Sequence, residues 1–257
     1  MLGLGKIKNT WDWAICGKHP VARDYLRIGL TTSLLAAFES WFEKGYRRRL
    51  RNHGPVRSVN SWRFWAKGLR KGNLVCGLGK DSSDSLGRQY PLLIMGNGSL
   101  DGWEMEWDLL HNVFEKTWNQ IETISSRHYD DLTDFENEIR SIENPDRYWL
   151  ELESKNRNRN EPGSSVNILT IQMNSDVIRE NVRHLLDKLE VHTPLDNQTT
   201  GNISDMAGLW CSLFKTHTVS APNAVFIGGV PEKHFLSVFL RPLNTMDFVQ
   251  LWSVSSL

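Results

Sequence analysis

Three apolar runs separated by short turns constrain the fold of this chain more than any other feature of its sequence. Residues 61–66 alternate between polar and apolar side chains, and residues 73–79 and 87–96 each contain a nearly continuous apolar run. Runs of this kind are typical of β-strands. A glycine-containing turn at 70–72 joins the first two runs, and a polar loop at 80–86 leads to the third. The pattern predicts a hairpin followed by a third strand.

Helical periodicity predicts several further elements. An apolar stripe begins after Thr31–Ser33, which offers an N-cap, and ends in a basic run at Arg47–Arg51. Similar stripes predict helices at 101–126, with Asp101 as the cap, at 131–142 and at 175–189. We also expect strands at 166–171 and 224–231, and a final helix or strand at 245–252.

These elements do not alternate strictly as strand and helix along the chain. We therefore expect an α/β (α+β) fold, in which a mixed, largely antiparallel sheet is flanked by helices in a three-layer, sandwich-like arrangement. A chain of 257 residues can bury a substantial core as one domain. We expect residues 1–257 to form that single domain, with an exposed loop at 154–165, where Pro162 is the sole apolar residue.

A first motif follows the apolar run at 11–16 and reads GKHPVARDY over residues 17–25. Gly17 permits a tight turn or a close backbone approach, and Pro20 prevents a helix from passing through the turn. Arg23 and Asp24 lie between apolar residues, at the predicted boundary between core and solvent. They are interpreted either as an ion pair that holds the loop to its own domain or as part of a functional clamp.

A second motif lies before the third predicted strand and reads DSLGRQYPL over residues 84–92. Gly87 favours a turn, and the guanidinium of Arg88 can bind a carboxylate such as Asp24 or Asp84 with two hydrogen bonds. Tyr90 can pack its ring and keep its hydroxyl accessible. We expect the two motifs to lie against each other, so that Arg23, Asp24, Arg88 and Tyr90 form one polar cluster.

The two motifs together resemble the TagF (ImpM) family of type VI secretion accessory proteins. The resemblance includes the opening GKHPVARDY, the WRF strand at 62–64, the apolar strand with Cys76–Gly77, and DSLGRQYPL. The segment 204–230 resembles the closing order of the family, a Trp-bearing strand around Trp210 followed by an apolar strand. The residues that match the family motifs are Gly17, Lys18, Pro20, Arg23, Asp24, Tyr25, Asp84, Arg88, Tyr90 and Pro91.

Membership of this family would imply a cytoplasmic accessory protein that regulates the secretion apparatus after translation. Family members restrain assembly by engaging a forkhead-associated scaffold protein. The resemblance therefore implies that the motif residues bind a protein partner, without catalysis, a metal or another cofactor.

An enzyme is the alternative function class. Asp24, His19 and Arg88 could form an acid–base site for hydrolysing or binding a small-molecule or phosphorylated ligand. However, the sequence contains no Gly-x-Ser-x-Gly, His-Glu-x-x-His or Cys-His motif, and the GLGK at 77–80 lacks the spacing of a phosphate-binding loop. His111 and His128 are not spaced to share one helix face, so they do not predict a metal pair.

The amino-acid composition limits the cellular compartments and the partner classes that we expect for this chain. Thirty basic and thirty acidic residues leave no net charge, so the overall charge does not favour a nucleic-acid partner. The basic run at 47–51 is interpreted as a helix C-terminus, with nucleic-acid binding as the alternative. Three widely spaced cysteines predict a reducing compartment, for which the cytoplasm fits best. No apolar run is long enough to predict insertion into a membrane. The eleven tryptophans are interpreted as packing residues, with an aromatic ligand platform as the alternative.

Overall fold

The computed structural model describes residues 11–29, 32–54, 59–68, 70–158, 175–195 and 202–253. The strands in these residues are β1 Asp12–Gly17, β2 Leu26–Ile28, β3 Ser61–Lys67, β4 Asn73–Lys80, β5 Leu92–Ser99, β6 Glu190–Pro194, β7 Ala224–Val230 and β8 Lys233–Phe239. The helices are α1 Ser33–His53, α2 Leu110–Ser126, α3 Leu132–Arg140, α4 Asp146–Asn158, α5 Ser175–Lys188, α6 Ile203–His217 and α7 Thr245–Leu251. Two short 3₁₀ turns, Trp103–Met105 and Trp107–Leu109, precede α2.

The strands form one open eight-stranded sheet in the order β2-β1-β5-β4-β3-β7-β8-β6. Every pairing between the described strands is antiparallel. The predicted hairpin is confirmed as β3 and β4, and the predicted third strand is confirmed as β5, which pairs with β4 along its length. The same sheet therefore contains strands from the beginning and the end of the chain.

Helices cover both faces of the sheet. On one face, α1 and α7 pack against a cluster that includes Trp62 and Phe64 of β3. On the other face, α2 and α6 pack against a cluster that includes Trp65 of the same strand. This alternation follows from the two-residue period of a strand. The predicted three-layer α+β arrangement is confirmed.

An arginine network fastens α2 to the sheet. Arg63 projects from β3 towards α2, where its guanidinium donates to Glu122 at 2.7 Å and to Glu115 at 3.1 Å. The same guanidinium donates to Asn119 at 2.7 Å. Because side chains from three successive turns of α2 bind one arginine, the network fixes the position of the helix on the strand.

The prediction of one helix from residue 101 is wrong at its beginning. Gly102 has a left-handed φ of 71°, the two 3₁₀ turns follow, and α2 begins only at Leu110 without a side-chain cap. Three-residue turns bring Trp103 and Trp107 to the same side as the later apolar residues. The apolar spacing therefore imitates a longer helix, and Asp101 does not cap it.

Residues 209–214 were expected to form a strand, and this is wrong. They lie in α6, which begins after Asn202, whose side chain accepts a hydrogen bond from Ser204 N. Met206, Trp210 and Phe214 are each buried, four residues apart, as on one face of a helix. The helical period therefore decides the local structure.

Most of the remaining differences concern the second half of the chain. Helix α4 includes residues 154–158, the first part of the predicted loop, while 159–165 and the predicted strand at 166–171 lie outside the described residues. Strands β2, β6 and β8 and helix α4 were not predicted. The helix predicted at 175–189 and the strand at 224–231 are confirmed. The closing element, expected as a helix or a strand, is a helix.

The packing interpretation of the tryptophans is confirmed, because none of the eleven is exposed. Their rings fill both faces of the sheet. None of the helices in the described ranges combines the length and apolar content that a membrane span requires.

Candidate partner-binding surface

Two loops meet at one end of β1 and β5, and they carry the two sequence motifs. The first motif loop, residues 18–25, follows β1, and the second motif loop, residues 81–91, precedes β5. Gly17 lies opposite Leu92 in the pairing of these strands, so the register brings both loops together. Gly17 has a φ of 122°, and a Cβ there would lie 2.2 Å from the carbonyl oxygen of Pro91. The close backbone approach predicted for Gly17 is confirmed.

A buried carboxylate locks the two loops together. The Asp84 side chain accepts from Lys18 Nζ at 2.8 Å and from Arg88 Nε at 2.7 Å. It also accepts from the backbone N–H groups of Leu86 and Arg88. Burial alone would raise the pKa of Asp84, but the hydrogen bonds from Lys18 and from this turn hold it well below its usual range. Asp84 is therefore a charged fastener between the loops.

Arg88 connects the second motif loop to the backbone of the first. Its Nη2 donates to the Arg23 carbonyl oxygen at 2.5 Å and lies 3.7 Å from Asp24 Oδ1. A backbone hydrogen bond from Ser85 N to Ala22 O, at 2.8 Å, adds a second connection. The predicted contact between the motifs is confirmed, but Arg23 joins it through its carbonyl group. The ion pair of Asp24 is with Arg88 instead of with Arg23.

Three tyrosine rings connect the two motif loops to α1. The rings of Tyr25 and Tyr90 are 5.6 Å apart in an edge-to-face arrangement, and Tyr90 meets Tyr46 of α1 in the same way at 5.3 Å. The Tyr25 hydroxyl donates to Glu39 of α1 at 2.5 Å. Burial raises the pKa of Tyr90 to about 12. Tyr90 is therefore a packing member of the cluster, and the stack ties the loops to α1.

The outer side of these loops is exposed although their inner side is fixed. Asp24 leaves 75% of its side chain in solvent, Arg88 leaves 51%, and Leu86 is 65% exposed. Arg23 is also exposed, and Tyr25 is partly so at 38%. We name Arg23, Asp24, Tyr25, Leu86 and Arg88 the motif surface. Leu86 was not among the predicted site residues, although an apolar residue beside the turn glycine was a visible signal.

The other predicted residues lie behind this surface. Gly17, Lys18 and Pro91 are buried or partly buried and shape the junction, and Pro20 is exposed at the start of the first motif loop.

Comparison with known protein families gives a match to the TagF N-terminal domain, described as type VI secretion system-associated, over residues 14–144. This range is about half of the chain and includes both motif loops. The chain belongs to the TagF family. The range matched to the TagF domain contains most of β1 and all of β2 to β5 and α1 to α3. The protein is accordingly associated with type VI secretion.

A comparison with solved structures gives a match to the crystal structure of PA0076 from Pseudomonas aeruginosa PAO1. The sequence identity is 23%, and the match covers 52% of this chain and 63% of that chain, with a TM-score of 0.42. The chain thus spans less than two thirds of the length of that protein. No curated protein matches the chain.

The proposed acid–base trio of Asp24, His19 and Arg88 is not assembled in this TagF chain. His19 is 2% exposed, and its ring stacks on Phe135 of α3 with the centroids 4.4 Å apart. Burial lowers the pKa of His19 to about 4, with the charge of Lys80 acting in the same direction. Its imidazole therefore packs towards α3, while Asp24 and Arg88 point to solvent.

Two other predicted features have local explanations. Within the basic run, Arg49 is buried and donates to the carbonyl oxygens of Gly54 and Trp252, so it fastens the end of α1 to the C-terminal segment. Across the described ranges, no three His, Cys, Asp or Glu residues come together as metal ligands do.

Proposed function

We propose that this chain is a cytoplasmic accessory protein that regulates a type VI secretion system after translation by binding another protein through its motif surface. The observation that carries the proposal is the arrangement of Asp84 and Arg88. A buried carboxylate connects the two loops, while the side chains of Asp24, Leu86 and Arg88 keep half or more of their surface exposed. Preorganised exposed groups of this kind lower the entropy lost on binding.

The composition of the motif surface also supports protein binding. Arginine and tyrosine are the residue types that most often contribute large energies to protein interfaces, and Leu86 adds an exposed apolar side chain. The pairing of Arg88 with Asp24 offers both charge signs to a partner. We propose a forkhead-associated scaffold protein as that partner, as the family resemblance implies.

The proposed location in the cytoplasm rests on the cysteines. Cys16, Cys76 and Cys211 are all buried and unpaired. Thiols persist in reducing compartments.

We also propose that residues 1–257 act as a single domain. Strand β7, which lies outside the matched range, pairs with β3 in the middle of the sheet. A single cooperative unfolding transition followed by two independent probes would support this proposal, and two separate transitions would contradict it.

The test of the proposed function is the affinity of the purified chain for the forkhead-associated scaffold of its own secretion system, measured by calorimetry. We expect Arg88→Ala and Arg23→Ala each to weaken binding by about 2 kcal/mol or more, as truncation of an interface anchor does. Arg179→Ala is the matched control, because Arg179 is also an exposed arginine in a local ion pair but lies in α5, outside the TagF match. A folded Arg23→Ala/Arg88→Ala double variant with unchanged affinity would contradict the proposal.

Catalysis is tested separately. We expect the purified chain to show no turnover of phosphatase, nucleotidase or esterase substrates. Turnover that is lost in His19→Gln would instead favour the enzyme alternative.

A further inference from the structure

A second site lies on the other side of the motif loops, in an open cavity of about 520 Å³. The end of β4, the end of α2 and both motif loops contribute to its walls. Its volume falls within the range of small-molecule sites. This site does not overlap with the motif surface, so it goes beyond the proposed partner binding.

One cation that lines the cavity is the ammonium of Lys80, the last residue of β4. Its Nζ lies 2.9 Å from the Ser126 hydroxyl and 3.4 Å from the Ser125 hydroxyl. No carboxylate of the described residues forms a salt bridge with it. Burial lowers the pKa of Lys80. A partly buried cation that contacts only hydroxyl groups is stabilised by an anionic ligand.

The neighbouring acids are engaged elsewhere. Glu122, the carboxylate that acts on Lys80, binds Arg63 through both of its oxygens at 2.7 Å. Asp81 lines the cavity, but one of its oxygens accepts from Trp252 Nε1 and the other from the backbone and side chain of Asn60. The carboxylates of Glu122 and Asp81 are therefore already hydrogen-bonded to groups other than Lys80.

Further donors face the same space. Ser82 and Ser83 contribute from the second motif loop, and Arg127 and His128 contribute from the end of α2. Arg127 pairs with Glu138 at 3.0 Å, whereas the His128 side chain is 85% exposed, with Asp130 3.9 Å away. The cavity thus combines an ammonium with several hydroxyl groups and an exposed imidazole.

We propose that this cavity binds a phosphate group, with Lys80 as the charged anchor and serine hydroxyls as hydrogen-bond donors. The Ser125 hydroxyl already donates to the Glu122 carbonyl oxygen, so the donors are those of Ser82, Ser83 and Ser126. A tetrahedral phosphate presents several acceptor oxygens, and lysine is a common point-charge ligand for it. Either a phosphorylated metabolite or a phosphorylated protein side chain carries the required chemistry.

The test is calorimetric titration of the full chain with sodium phosphate in a chloride buffer near pH 7.5. We expect one phosphate per chain, and we expect Lys80→Met to weaken its affinity by about tenfold or more, the effect of losing one hydrogen bond to a charged group. The matched control is Lys67→Met, because Lys67 is also half-buried at a strand end and its pKa is also lowered by burial. Its affinity should stay within about twofold of the original.

A second variant tests the site in case Lys80→Met does not fold. Ser126 is exposed, so Ser126→Glu should fold, and its carboxylate would occupy Lys80 and reduce phosphate affinity by a similar factor. Parallel titrations with adenosine monophosphate and with a phosphoserine peptide distinguish the two sources, and tighter binding of either one supports the phosphate site. The proposal would be overturned if none of the three probes bound at millimolar concentration. It would also be overturned if the original chain and Lys80→Met bound phosphate with equal affinity.

Discussion

Replacing Gly17 with alanine tests whether this glycine holds the two motif loops together. Its φ of 122° is disfavoured for any residue with a side chain, at a cost of about 1–3 kcal/mol. The new methyl group would also lie 2.2 Å from Pro91 O, a backbone atom that cannot rotate away. Separating the paired strands there adds a packing cost of about 1–3 kcal/mol. We therefore expect Gly17→Ala to lower the free energy of unfolding by about 2–6 kcal/mol.

The matched control for this change is Gly87→Ala. Gly87 also has a positive φ, 76°, but a Cβ there would meet nothing within 4 Å. Its cost should be limited to the backbone conformation, about 1–2 kcal/mol. Urea unfolding of both variants, analysed with a common slope, measures the difference. Equal losses in the two variants would refute the argument that close approach to Pro91 requires glycine at position 17.

Three further predictions concern side chains outside the motif surface. Neutral His19 should stabilise the fold fully above pH 6.5, and this contribution should be lost as the pH falls to about 4, because the unfolded chain binds the proton first. In urea titrations, the free energy of unfolding should fall less with pH in His19→Gln than in the original chain, and identical pH profiles would contradict this prediction. Arg63→Met should lower the free energy of unfolding by about 1–3 kcal/mol through loss of the network to α2, and unchanged urea unfolding would show that this network is not stabilising. Cys16, Cys76 and Cys211 should react with a thiol reagent only after denaturation, because all three are buried and burial raises the pKa of Cys16 to about 12. Fast labelling of the folded chain would contradict the burial of these thiols.

The parts of the fold that could be predicted from the sequence are those with a local signal. The strands β3, β4 and β5 follow one another with short connections, and their apolar runs need no distant information. Strand β6 has only five residues and pairs with β8, which lies far along the chain. Its identity is therefore decided by tertiary pairing, which no local pattern contains. The beginning of α2 was missed for a related reason, because 3₁₀ turns and an α-helix return apolar side chains to nearly the same face.

In the candidate site, too, local features were predicted from the sequence and long-range contacts were not. The motif residues were identified from the sequence, and the expectation that Asp24 and Arg88 meet was correct. The bond between Arg88 and Asp84 was also expected. The bond of Asp84 to Lys18 was not predicted, since it depends on the register that places Gly17 opposite Leu92. Likewise, His19 was assigned to the wrong group because its contact with Phe135 depends on where α3 packs. Long-range register therefore decided what residue identity alone left open.

The most direct test of the central claim is hydrogen–deuterium exchange of the chain with and without the forkhead-associated scaffold protein. If the motif surface is the interface, exchange in residues 20–27 and 84–90 should slow on binding, because bound loops open less often. Exchange in α5, whose buried residues belong to a hydrophobic cluster that does not include the motif loops, should not change. Slower exchange confined to other segments, with both motif loops unaffected by a scaffold that binds, would contradict the account.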